Sequence, residues 1–190
     1  MDNKIIIAID AMGGENAPDK NIEGISIFLK KNKNIQDIFF NLYGNEEILI
    51  NKLNKYKISK NFYKIFHSTT IVSDEETPLT AIKNSKDSSM WNAINSQTEL
   101  NSNITLSAGN TGVLFVVSRM LLKTIETVSK PALAGLWPNE KNMNVVLDLG
   151  ANIECDDINL VDFAEMGAAL YKALFPNDSA KVALLNIGSE

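Results

Sequence analysis

Four stretches of this chain place glycines and hydroxyl- or amide-bearing residues directly after runs of aliphatic ones. Ser107-Ala108-Gly109-Asn110-Thr111-Gly112 follows Ile104-Thr105-Leu106 and leads into the apolar segment Val113 to Leu122. That order reads as a strand, a tight glycine loop and a helix start. Gly109 and Gly112 let the backbone turn and approach a ligand without a Cβ in the way, and Asn110 or Thr111 can cap the first helical N–H groups. Such a turn suits anions, phosphate above all. The arrangement recurs. Asp10 and the loop with Gly13, Gly14 and Asn16 follow Ile5 to Ile9, Asp148-Leu149-Gly150-Ala151-Asn152 follows Val145 to Leu147, and Asn186-Ile187-Gly188-Ser189-Glu190 follows Val182 to Leu185. One such loop is ordinary punctuation; four are expected to converge at the carboxyl ends of an open α/β sheet, where ligands bind. Lys83 and Lys86, followed by Asp87-Ser88-Ser89-Met90, add cations and hydroxyls just before another helix start. Alone these read as a solvated loop, and beside the glycine loops as a phosphate-facing group.

No side chain in the sequence reads as a strong nucleophile or base. His67 is the only histidine and stands near a strand end, with no Gly-x-Ser-x-Gly elbow to pair with. Cys155 lies among Glu154, Asp156 and Asp157, whose charges raise a thiol pKa. The same acidic cluster has no histidine partner for a metal and serves well as a helix start, so neither a metal nor a cofactor is expected. The P-loop and dinucleotide fingerprints are both missing. These residues suit a reaction in which the substrate is the nucleophile and the protein positions anions and stabilises charge. Phosphate attack on an activated carbonyl fits, and a thioester is the natural acceptor because its thiol, with a pKa of about 8.5, leaves with little acid assistance.

The elements that must position these loops follow from apolar patterning. Ile5 to Ile9 is a continuous run expected of a parallel strand buried on both faces. Pro18 suits the first turn of a helix whose apolar face is Ile22, Ile25, Ile27, Phe28 and Leu29. Strands are expected at Ile38 to Tyr43, Tyr63 to Phe66, Ile104 to Leu106, Val145 to Leu149 and Val182 to Leu185. A short extended piece is expected at Ala132 to Trp137. Helices are expected at Glu46 to Leu53, near Ser89 to Ser96, from Val113, and over Ile158 to Phe175 with Asp156 or Asp157 as N-cap. Residues Ser73 to Ser89, with Pro78, read as a loop region. Alternating strands and helices predict an α/β fold with a parallel sheet covered on both faces.

Composition bounds the alternatives. The 190 residues are 45% hydrophobic, enough for one substantial core, so one α/β domain over residues 1–190, or part of a larger one, is expected. A net charge of −5 argues against nonspecific nucleic-acid binding, which needs a basic surface. Arg119 is the only arginine among 18 lysines and arginines, a bias that we read as compositional. The single cysteine allows no intramolecular disulfide, and Met1-Asp2-Asn3-Lys4 leads straight into a strand, so a cytoplasmic setting is expected. The longest apolar segment, Val113 to Leu122, is about ten residues, half of the ~20 that a membrane span needs; peripheral membrane contact stays open.

Six motifs occur in order: the Asp10-Ala-Met-Gly-Gly-Glu-Asn-Ala-Pro loop, Lys86-Asp-Ser-Ser-Met, Ser107-Ala-Gly-Asn-Thr-Gly, Lys130-Pro-Ala-Leu-Ala, Asp148-Leu-Gly-Ala-Asn and Leu185-Asn-Ile-Gly-Ser-Glu. Together they resemble the bacterial phosphate acyltransferase family PlsX, the acyl-ACP:phosphate transacylases of phospholipid synthesis, over residues 5–190. The resemblance implies a three-layer α/β/α sandwich of the isocitrate-dehydrogenase and phosphotransacetylase kind, and a homodimer. It implies transfer of a fatty acyl group from acyl carrier protein (acyl-ACP) to inorganic phosphate, giving acyl phosphate for a membrane glycerol-3-phosphate acyltransferase. The implied roles are a cradle for phosphate or the developing oxyanion at Gly109 to Gly112, and a cleft shaped by Asp10, Gly13, Gly14 and Asn152. Family members continue past residue 190, so this chain is expected to be truncated relative to them. Lys83 and Asn84 stand where relatives often carry arginines, and Ser189 where a glutamate is usual. A short-chain phosphotransacylase using acyl-CoA, and an inactive fragment that binds phosphate or carrier protein, are the alternatives.

Overall fold

The apolar runs Ile5–Asp10 and Ile38–Gly44 become strands here because each finds neighbours to pair with and helices to cover it. The computed structural model describes residues 4–73, 77, 80, 85–140 and 142–186. These divide into two units, with the boundary between Lys123 and Thr124.

The first unit contains β1 (Ile5–Asp10), α1 (Asp19–Lys31), β2 (Ile38–Gly44), α2 (Glu46–Lys55), β3 (Tyr63–His67), α3 (Ser89–Thr98), β4 (Ile104–Leu106) and α4 (Thr111–Leu122). Its four strands are all parallel, in the order β3-β2-β1-β4. Side chains alternate across the sheet, so the register that pairs Ile7 with Phe40 and Ile9 with Leu42 collects these residues on one face. There Ile22 and Ile25 of α1 and Leu49 and Leu53 of α2 bury themselves against Ile9, Phe40 and Leu42. The opposite face carries Ala8 and Tyr43 under Ala93 of α3, with Phe66 stacked on Tyr43 at 4.8 Å. Met90 and Ile94 of α3 then pack on Val113 and Val117 of α4. The result is three layers, helix, parallel sheet and helix, as the alternating pattern implies.

Helix starts are set by side chains that accept otherwise orphaned N–H groups. Asn45 accepts from Ile48 at α2, Ser88 from Trp91 at α3, and Asn110 from Val113 at α4. Pro18 lies one residue before α1, at its N-cap, where it offers no side-chain acceptor.

The second unit holds β5 (Ala134–Pro138), β6 (Met143–Leu147) and α5 (Asp157–Leu174). Asp156 caps α5 in a reciprocal capping box with Asn159. Here two expectations are corrected. The Val145 strand begins at Met143, ends at Leu147 and pairs antiparallel with β5 through the short connection 139–142, so it does not extend the parallel sheet. A connection this short permits only a hairpin, since a parallel return needs a crossover of a dozen residues or more. Val182 to Leu185 forms no strand, and Val182, Leu184 and Leu185 are exposed. An apolar run becomes a strand only where another pairs with it, and among the described residues none does.

Candidate functional site at the carboxyl end of the parallel sheet

Asp10 ends β1 and is 1% exposed. Its Oδ1 accepts the Ser89 hydroxyl at 2.6 Å and its Oδ2 accepts the Ser107 hydroxyl at 2.7 Å. Ser107 Oγ in turn accepts the Gly109 N–H at 3.1 Å. Short O–H···O⁻ bonds of this kind are among the stronger hydrogen bonds. Among the described residues no lysine or arginine pairs with Asp10, so hydroxyl donors alone compensate the burial of its carboxylate. One carboxylate thus ties together the end of β1, the first turn of α3 and the loop after β4.

The two glycine loops lie against each other. A Cβ on Gly13 would run into Asp10 Oδ2 and come within 3.1 Å of the Gly109 nitrogen. Gly14 has φ +95°, and a Cβ there would meet the Ala108 carbonyl oxygen at 2.6 Å. Both positions therefore demand glycine for contact, and Gly14 for conformation as well. Asn16 takes φ 62°, a left-handed conformation that asparagine tolerates better than most residues.

From α1, Asn21 Nδ2 reaches back under the same loop to the carbonyls of Ala11 and Gly13 at 3.0 Å each and of Asp10 at 3.4 Å. Nothing in the sequence marked this residue. It is one asparagine among many, on a helix read only for its apolar face.

The remaining candidates divide by what they touch. Ser88 is fully buried and serves as the α3 cap, and the Ser89 hydroxyl is committed to Asp10. Thr111 and Gly112 are exposed in the first turn of α4, where the helix dipole favours anions. Lys86 is exposed two residues before the α3 cap, next to Asp87 at φ 67°. Beside the loops lies a cavity of about 400 Å³ against the α1 face of the sheet, bordered by Ile7, Ile9, Phe28 and Leu106, with Asn21 and Ser107 on its polar side.

In the second unit, Asp148 Oδ1 accepts from the Asn152 backbone N–H at 3.2 Å and from Asn152 Nδ2 at 3.0 Å, and Nδ2 also reaches the Pro131 carbonyl at 2.9 Å. Asp148 and Gly150 both have positive φ, which makes the turn that Asn152 closes. The Cys155 thiol donates to Asp148 Oδ2 at 3.6 Å, and it is held above its ordinary pKa by desolvation first and by Asp148 second. The raised value was expected from neighbouring acids in sequence; the leading partner is instead one loop earlier. Asn186 is exposed and follows no strand, which corrects its expected place at a strand end. Gly188, Ser189, Lys83 and Asn84 lie outside the described residues. His67 Nδ1 accepts the Glu46 N–H at 3.2 Å, a bond that joins the end of β3 to the start of α2.

The sequence model of a family described as fatty acid synthesis protein matches residues 5–190. The chain is 52% identical over 99% of its length to a phosphate acyltransferase of Pelagibacter ubique, and covers 55% of that protein. It is 40% identical over its full length to a phosphate acyltransferase of Anaplasma phagocytophilum, covering 55% of it, and 35% identical to one of Caulobacter vibrioides, covering 52%. The chain thus spans about half the length of the curated relatives it matches.

Proposed function

Since this chain belongs to the fatty acid synthesis protein family, we propose that the protein it forms part of is a phosphate acyltransferase that moves a fatty acyl group from acyl-ACP to inorganic phosphate. A phosphate oxygen attacks the thioester carbonyl carbon, the C–S bond breaks, and the carrier's thiolate leaves and takes up a proton; the product is an acyl phosphate. The observation that carries this reading is the pair of glycine loops drawn together at the sheet's carboxyl end by Asp10, Ser89 and Ser107. Both hydroxyls there are donated to the carboxylate, which leaves backbone amides and the α4 N-terminus as the groups suited to an anion. That is the inventory for positioning phosphate and a developing oxyanion, with phosphate itself as the nucleophile.

On this reading the partners are acyl carrier protein, a second copy of the chain and, downstream, a membrane glycerol-3-phosphate acyltransferase. Among the described residues no helix is long and apolar enough to cross a membrane, which accords with a cytoplasmic enzyme making peripheral membrane contact. Asp10, Gly13, Gly14, Gly109, Asn110, Thr111 and Gly112 form the cradle; Lys86 supplies a nearby cation, and Asp148, Gly150 and Asn152 shape a further loop.

The test is to incubate protein extended to the length of its relatives with acyl-ACP and phosphate, and to trap acyl phosphate with hydroxylamine. Phosphate-dependent hydroxamate is the expected result. Turnover with acetyl-CoA alone would point to a short-chain phosphotransacylase. Saturable acyl-ACP binding without turnover would overturn the enzyme reading.

A further inference from the structure

The Asn21 contacts bear on which way the β1–α1 loop faces. In a trans peptide the carbonyl of one residue and the N–H of the next point in opposite directions. Three carbonyls, of Asp10, Ala11 and Gly13, are drawn toward one side-chain amide on α1. The N–H groups on the far side of those peptides belong to Ala11, Met12 and Gly14. Ala11 donates to the Tyr43 carbonyl at 3.0 Å, which continues the β1–β2 pairing. Among the described residues the Met12 and Gly14 amides donate to no protein acceptor. Buried or half-buried amides without acceptors are uncommon in folded proteins, and both residues are less than fully exposed. Gly14 lies against Ala108, in the loop that precedes the α4 N-terminus.

We infer that Asn21 is a positioning residue for the proposed reaction: by holding the loop's carbonyls against α1 it turns the Met12 and Gly14 amides outward as donors to the phosphate. This rests on the phosphate reading above. The geometry gives Asn21 no contact with the anion itself; it acts through the peptide planes it orients. Without the side-chain amide, three carbonyls lose their donor and the loop is free to rotate its peptides. The loop amides then meet phosphate in many orientations instead of one, and affinity falls by this loss of preorganisation.

Two measurements test it, both with inorganic phosphate as the probe. In a ¹⁵N-labelled wild-type sample, titration should shift the Met12 and Gly14 amide resonances along with those at the start of α4. In Asn21→Ala, the dissociation constant for phosphate should rise by about tenfold, the worth of one charge-assisted hydrogen bond, and in turnover the KM for phosphate should rise while the KM for the acyl donor stays put. A purely structural Asn21 would lower the melting temperature and leave that split unmoved, which would overturn the inference. Shifts at Thr111 and Gly112 with silent Met12 and Gly14 would also overturn it, while leaving the phosphate reading intact. No phosphate response at any amide would remove both. Where Asn21→Ala does not fold, the wild-type titration still tests the orientation that Asn21 is inferred to impose, since silent Met12 and Gly14 amides overturn it.

Discussion

Asp10 takes two hydroxyl donors and no cation, so its energetic weight lies in what happens when a donor leaves. Ser107→Ala removes the partner of Oδ2 and also the acceptor of the Gly109 N–H. Leaving buried polar groups unpaired costs about 1–3 kcal/mol each. Urea unfolding of Ser107→Ala should therefore show a loss within or above that range, and a midpoint unchanged from wild type would mean that the three loops are not tied through Asp10. The glycines allow a sharper contrast. Gly13→Ala puts a methyl into the Asp10 carboxylate and should both destabilise the protein and weaken phosphate binding. Gly24→Ala, within α1 and with open space around its Cβ, should stabilise by roughly 0.5–1 kcal/mol. Equal effects at the two sites would contradict the close loop contact. At this scale the sequence was legible for type and place: an acid at a strand end and glycines after it. What Asp10 does was not legible, because its partners lie 79 and 97 residues away. Asn21 was hidden for another reason: its acceptors lie only 8 to 11 residues away, but they are backbone carbonyls, which have no signature in residue type.

At the scale of elements, α1 and α2 are joined at their solvent side by Asp19. Its carboxylate accepts from Lys52 at 2.7 Å, Lys55 at 3.2 Å and Tyr56 at 3.1 Å, and the two lysines hold its pKa down at about 2. A carboxyl whose folded-state pKa is depressed stabilises the fold above its unfolded value, near 4, and loses that contribution as pH falls toward 2. Wild type should therefore melt higher than Asp19→Asn at pH 7, by no more than a few degrees because the cluster is partly open to solvent. The gap should close between pH 4 and 2 and narrow with added salt. A gap that persists at pH 2 would show that Asp19 acts through packing and not through charge. Elements with their own pattern were legible: β1 and β2 as continuous apolar runs, the α4 start from Asn110 or Thr111 and the α5 start from Asp156 or Asp157, of which Asn110 and Asp156 are the caps. The Ser88 cap of α3 was not read from the sequence. Val182 to Leu185 shows the limit. Its composition suits a strand, but pairing is a property of two segments, and a run without a partner stays irregular.

Considered as a molecule, the first unit leaves part of one sheet face open. Ile104 and Leu106 of β4 pair beside Ile7 and Ile9 and are 46% and 48% exposed. Only β1 neighbours β4, so its other edge is unpaired among the described residues. The adjoining cavity of about 400 Å³ is bordered by apolar residues of β1, β4 and α1. Strand order and open edges are not written in any local pattern, which is why alternation predicted a parallel sheet without predicting this face. Contiguous exposed apolar surface drives association, and an unpaired strand edge adds a template for it. The 190-residue chain should accordingly bind 1-anilinonaphthalene-8-sulfonate at micromolar concentration and sediment as larger species as its concentration rises. Leu106→Lys puts a charge at the centre of the patch and on the edge strand, where its side chain has solvent to reach, so it should reduce both dye fluorescence and association with little change in melting temperature. If Leu106→Lys unfolds the chain, the residue lies in a closed core and the open face does not exist. If the variant folds but associates as the wild type does, association runs through another surface, and the exposed leucines and valine at 182–185 become the next to substitute.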